Sequence, residues 1–200
     1  METRSVGILL FDDVEVLDFA GPFEVLSIAG FKDREDVKPF KVETVSETGK
    51  SISARNGLQV VPDYSFDTAP YFDILIVPGG PGARLTELHN NKLINWIKEQ
   101  DKRTEMTTSV CTGALLLAQA GLLDGKRATT HWASYDLFAD LFKKVEVVRE
   151  VKFVDEGRIV TSGGISAGIV MAFHLVERLV GIEEKWMTAK RMEYDLPEDK

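Results

Sequence analysis

A single cysteine, Cys111, occurs among the 200 residues, which excludes an intramolecular disulfide framework and any metal site built from several cysteines. Basic charge is scarce as well: 24 Lys and Arg stand against 32 Asp and Glu, a formal net charge of −8. The acid excess is spread along the chain rather than gathered in a tail, which makes nucleic acid and anionic membranes poor partners. Long apolar runs are also missing. Stretches such as 74–78 and 114–117 fall far short of the roughly 20 residues a membrane helix needs, and residues 1–11 lack the shape of a signal peptide. A cytoplasmic protein is expected. No repeat, low-complexity tract or linker divides the chain, so a single domain over residues 1–200 is expected, with enough apolar content for one core. The three histidines stand at no metal-ligand spacing with the cysteine, and neither a metal nor a cofactor is expected.

What the chain does contain is an alternation of two textures. Short continuous apolar runs at 6–11, 73–77 and 105–110 read as buried strands. Each is followed by a turn signal and a helical segment. Gly21-Pro22 is expected to open a helix at 23–29, the Pro78-Gly79-Gly80-Pro81-Gly82 loop to precede one at 85–100, and Cys111-Thr112-Gly113 to precede one at 114–120. This β-α-β-α order predicts an α/β fold with a mostly parallel sheet covered by helices on both faces. Residues 41–46 and 58–61 have strand composition around Asn56-Gly57, a turn signal requiring positive φ, and read as a small antiparallel side ribbon. Further strands are expected at 128–130, 145–149, 151–155 and 158–161, then a heavily buried helix at 166–180 and another at 183–193.

Cys111 sits where a buried strand ends and a helix begins, so its side chain is expected above the carboxyl edge of the sheet, where open α/β folds bind ligands. Gly113 keeps that turn clear of neighbouring backbone. Proximity to the following helix end is expected to favour the thiolate and lower its pKa; the alternative is a small buried hydrophobe. Thr112 adds a hydroxyl and an amide. Gly79 and Gly80 would let amides approach a ligand with no Cβ in the way, a candidate oxyanion hole, although a tight strand-to-helix turn has the same composition. Asp18, flanked by apolar residues, is either a helix N-cap or a partly buried acid beside the thiolate, kept protonated as a proton donor. Glu24 reads as a surface or capping carboxylate, and Asp12, Asp13 and Glu15 as solvated charge. His131, beside Trp132, is a candidate lining residue; His174 reads as a packed core histidine and His89 as surface.

Several stretches resemble the ThiJ/PfpI superfamily, which is related to class I glutamine amidotransferases. They are Phe11-Asp-Asp-Val-Glu-Val-Leu-Asp18 with Ala20-Gly-Pro-Phe-Glu-Val-Leu26, Val77-Pro-Gly-Gly80, Ser109-Val-Cys-Thr-Gly-Ala114, residues 120–132 ending in Thr-Thr-His-Trp132, Thr161-Ser-Gly-Gly-Ile-Ser-Ala-Gly168 and Met192-Glu-Tyr-Asp195. The Asp before Gly-Pro, the Cys-Thr pair and the Thr-Thr-His-Trp stretch are most similar to the isocyanide hydratase branch and to ligand-sensing domains of AraC-type regulators. The resemblance implies a flavodoxin-like three-layer α/β/α sandwich, a homodimer, and hydration of a small-molecule isocyanide to an N-substituted formamide. In that reaction Cys111 is the nucleophile, Asp18 the acid and Thr112 an orienting group. Two departures narrow the field. The His that follows the nucleophile in PfpI-type peptidases is Thr112 here, and the late His-x-Glu of amidotransferases is replaced by His174-Leu-Val-Glu177. Only about twenty residues follow the last core helix, so a DNA-binding region is not expected. Two alternatives remain: a redox or electrophile sensor built on oxidisable Cys111, and glyoxalase-like action on dicarbonyls with His131 as base.

Overall fold

The computed structural model describes residues 3–31 and 37–196. Its strands are β1 (Arg4–Leu10), β2 (Phe40–Ser46), β3 (Ile52–Ser53), β4 (Gln59–Val60), β5 (Tyr64–Ser65), β6 (Ile74–Val77), β7 (Met106–Val110), β8 (Arg127–Ala128), β9 (Glu146–Val147), β10 (Phe153–Asp155) and β11 (Ile159–Ser162). Its helices are α1 (Val16–Ile28), α2 (Pro81–Leu85), α3 (Asn91–Asp101), α4 (Gly113–Gln119), α5 (Tyr135–Leu141), α6 (Ala167–Leu179) and α7 (Ile182–Arg191). The main sheet runs β10-β11-β7-β6-β1-β2-β5. All its pairings are parallel except β10 with β11. Strands β6 and β7 are buried along their whole length, the pattern of a sheet covered on both faces. Helices α1, α6 and α7 pack together as one group, and α2, α3 and α4 as another.

Four neighbouring parallel strands, β11, β7, β6 and β1, end side by side at the same edge. Residues 11–15, 78–80, 111–112 and 163–165 leave those ends, and this convergence builds the site.

Local chemistry explains where the elements depart from expectation. Helix α1 starts at Val16 and carries Pro22 inside it instead of beginning after it. Gly21, Pro22, Val25 and Leu26 are buried, and a Cβ on Gly21 would lie 2.8 Å from Ile169 of α6. Close packing of α1 on α6 outweighs the one backbone hydrogen bond that proline removes. The helix expected over 85–100 is two, because the Asn90 side chain accepts from the Lys92 and Leu93 amides and starts α3 afresh. Residues 41–46 are not ribbon: they form β2, paired in parallel with β1 along seven residues. The antiparallel ribbon is β3 with β4, and its turn does carry positive φ at Asn56 (66°) and Gly57 (93°). Helix α5 had no sequence signal that we recognised. Strands β8 and β9 pair only with each other.

Gly7, in the centre of β1, admits the fully buried Phe72 ring: a Cβ there would stand 2.3 Å from Phe72 Cδ2. Gly7→Ala is therefore expected to lower stability by about 1–3 kcal/mol through overpacking, read from urea unfolding midpoints.

Candidate active site

Cys111 follows β7 directly and adopts φ 57°, the left-handed region that a side-chain-bearing residue avoids. Three restraints hold it there. Its amide donates to the Ser162 and Gly163 carbonyls at 3.2 Å, its carbonyl accepts the Thr130 hydroxyl at 2.8 Å, and Gly113 lies against the backbone of β6. A Cβ on Gly113 would come 2.0 Å from the Val77 oxygen, so only glycine lets the elbow sit this close to its neighbour strand. Thr130 was not singled out in the sequence, since a threonine bonded to a carbonyl nineteen positions away leaves no local pattern.

Asp18 is fully buried, in the first turn of α1. It does not cap its own helix. Its Oδ2 accepts the Gly79 amide at 3.0 Å and its Oδ1 the Ile165 amide at 3.1 Å, and the Cys111 thiol lies close enough for each group to shift the other's pKa. Ile165 itself has φ 58°, costly for a β-branched residue, and this conformation delivers its N–H to the carboxylate. The acid and the sulfur are thus brought together as expected.

The acid shifts in the expected direction, whereas the thiol shifts in the opposite one. Burial pushes the Asp18 carboxyl up to about 7, partly opposed by the Gly79 amide. Burial and the Asp18 charge push the Cys111 thiol up, not down, despite the Thr112 amide and hydroxyl that face the sulfur. A helix end contributes roughly 0.3–1 kcal/mol, whereas full burial shifts a group by up to 3–5 pKa units, and α4 has only seven residues. Two buried neighbours share at most one negative charge at neutral pH, and in the resting pair the proton belongs to sulfur.

The glycine amides are likewise committed elsewhere. Gly79 N–H is held by Asp18, and Gly80 N–H donates to Thr112 Oγ1 at 2.9 Å while that hydroxyl lies 3.2 Å from the Gly80 carbonyl. Instead of an open oxyanion hole, Gly79, Gly80 and Thr112 form a clasp that locks the loop after β6 to the elbow. A Cβ at Gly79 would strike the Thr112 amide at 2.4 Å.

The sulfur opens into a cleft of about 230 Å³, whose walls include Glu15, Arg55, Arg84, His131 and Ile165. His131 Nδ1 accepts the Ala133 amide at 3.3 Å, placing the ring hydrogen of the neutral form on Nε2. Partial burial lowers its pKa, so the ring facing the cleft is uncharged at neutral pH. Glu15 is not idle surface charge: its Oε2 pairs with Arg55 at 2.6 Å, and its side chain is only 15% exposed. Arg55 and Arg84 escaped the sequence reading, because nothing local ties either to Cys111. His174 is half-buried rather than part of the core; it pairs with Asp155 at 2.7 Å and stacks on Phe153. His89 and Glu24 are exposed. Among the described residues no cluster of His, Cys, Asp and Glu could hold a metal ion, and no helix is long and apolar enough to cross a membrane.

A buried acid–thiol pair on a strained elbow at the carboxyl edge of a doubly covered parallel sheet defines a flavodoxin-like α/β protein with a cysteine on its strand-to-helix elbow. Residues 4–178 match the model of the DJ-1/PfpI family, and the chain belongs to that family. It is similar to the isonitrile hydratase of Pseudomonas putida, with 35% identity over 95% of this chain and 78% of that protein. It is also similar to the HTH-type transcriptional regulator GbdR of Pseudomonas aeruginosa, 31% identical over 90% of this chain but covering only 48% of the regulator. A crystal structure of a ThiJ/PfpI family protein from Pseudomonas syringae superposes with a TM-score of 0.87 at 26% identity, over 100% of this chain and 78% of that one.

Thr130→Val keeps the side-chain shape but leaves the Cys111 carbonyl without its short hydrogen bond. The expected loss is about 1 kcal/mol in unfolding free energy, and a value within error of wild type overturns this account of the elbow.

Proposed function

We propose that the protein hydrates a small isocyanide, R–NC, to the N-substituted formamide. The observation that carries this reading is the Asp18–Cys111 pair, one shared proton between an acid and a nucleophile at the floor of a small cleft. An isocyanide carbon must gain both a nucleophile and a proton, and this pair holds both. As Cys111 Sγ bonds to the terminal carbon, its proton passes to Asp18 and from there to that same carbon, giving a thioimidate, R–N=CH–S. Water then adds to the carbon, the C–S bond breaks, the nitrogen is protonated, and the thiol recovers its proton. The sum is R–NC plus water to R–NH–CHO. The Gly79 and Ile165 amides keep Asp18 aimed at the sulfur throughout, and the Thr112 amide and hydroxyl face the sulfur as it leaves. His131, with Nε2–H available, is placed to donate to the substrate nitrogen.

Likeness to the isonitrile hydratase over nearly the whole chain supports the same reading. The direction of the thiol pKa weighs against a peroxide sensor, because the thiolate is the oxidisable form. A family that includes regulators makes the assay, not the fold, decisive. The companion reading of a homodimer belongs to the same proposal and is checked by light scattering.

With cyclohexyl isocyanide and formamide formation followed by NMR, Cys111→Ala is expected to abolish turnover. Asp18→Asn is expected to cost about 10²–10⁴-fold in kcat/KM. Unchanged formamide production in either variant overturns the proposal, as does turnover of methylglyoxal without any of isocyanide. The pH profile has a definite sign. Asp18 must be ionised to take the thiol proton, so kcat/KM is expected to fall as pH drops below about 7 and to lose about tenfold per unit beyond it.

A further inference from the structure

The cleft carries a charge that the hydration chemistry does not use. Although the chain has a formal net charge of −8, two guanidiniums, Arg55 and Arg84, line the opening above Cys111. Arg55 is committed to Glu15 at 2.6 Å. Arg84 lies in the last turn of α2, and among the described residues no carboxylate pairs with it and no hydrogen bond occupies it. Both arginines, Glu15 and His131 line the same cleft, so all four groups face one space. The pair Glu15–Arg55 cancels, His131 is neutral, and the Asp18–Cys111 couple lies on the buried floor. What faces a ligand at the mouth is therefore the unpaired Arg84 guanidinium, with the one negative charge of the couple buried beneath it.

We propose that Arg84 is a specificity-determining residue that binds a carboxylate on the substrate, at the end remote from the carbon attacked by Cys111. This rests on the reading that Cys111 attacks the substrate in this cleft, and it names the substrate class as small isocyano carboxylates. A guanidinium offers a planar fork that matches a carboxylate. The cleft volume of about 230 Å³ lies below the roughly 300–1,000 Å³ usual for drug-sized ligands. A molecule that small reaching Arg84 with one end while its other end meets Sγ is a compact bifunctional compound. Glu15 sharpens the choice: its carboxylate, held against Arg55, repels an anion that strays to that wall and leaves Arg84 as the cation to occupy.

Two comparisons test this, one with turnover and one without. Kinetics with isocyanoacetate and its methyl ester are expected to show kcat/KM favouring the acid about fivefold, the scale of one exposed ion pair. Arg84→Gln is expected to abolish that preference, and Arg84→Lys to restore part of it. The second comparison measures alkylation of Cys111 by iodoacetate and by iodoacetamide, followed by intact mass. The ratio of the two rates cancels any change in thiol ionisation. That ratio is expected to fall about fivefold in Arg84→Gln and to fall in the same direction in wild type at 1 M salt, where the Debye length shrinks to about 3 Å. A ratio unaffected by both changes overturns the role of Arg84. If wild type turns over none of isocyanoacetate, its methyl ester and cyclohexyl isocyanide, the hydratase reading fails while the alkylation ratio still decides whether this cleft selects a carboxylate; turnover of cyclohexyl isocyanide with no preference for the acid overturns the role of Arg84 alone.

Discussion

The carboxylate of Asp18 is the contact on which the working edge of the sheet depends. It is fully buried, and burying a charge is costly unless it is hydrogen-bonded. The fold supplies two backbone N–H groups, one from the loop after β6 and one from the loop after β11, and a thiol from the end of β7. One side chain on α1 thus ties together the loops leaving three neighbouring strands. Two of those residues, Cys111 and Ile165, hold left-handed backbone conformations that neither would adopt alone, and they persist because several hydrogen bonds over-determine them.

The same burial decides the chemistry. A surface cysteine at a helix start would ionise more readily and stand open to oxidants. Here the low dielectric and the adjacent carboxylate keep the proton on sulfur. In the proposed reaction, nucleophile and acid are successive states of one pair instead of two independent residues. The clasp of Gly79, Gly80 and Thr112, which at first sight resembles an oxyanion hole, serves this arrangement by fixing loop against elbow.

Much of the scaffold was legible because its strands carry their own signature. The runs around 6–11, 73–77 and 105–110 are continuous and apolar since both faces of the sheet are covered, and each ends where the structure ends it, to within a residue. Cys111 could be placed on an elbow for the same reason. Other features had no local signature. Strand β2 alternates polar Lys41 and Glu43 with apolar neighbours, which reads equally well as ribbon or sheet until its long-range pairing with β1 is known. Pro22 announces a helix start, yet packing of α1 on α6 carries the helix through it. Asp18 was recognisable as an unusual carboxylate, but its two amide partners lie 61 and 147 residues away.

The amino-acid sequence by itself determined the alternation of buried strands and helices and the elbow that carries the one cysteine, and it marked Asp18 as an isolated acid. These follow from periodicity, turn chemistry and the burial preferences of neighbouring residues. Only the tertiary structure decided which group holds the proton, where the glycine amides point, and that Glu15, Arg55 and Arg84 stand around the sulfur. Those outcomes depend on the dielectric and on distances between segments remote along the chain, and no local pattern of residues encodes either.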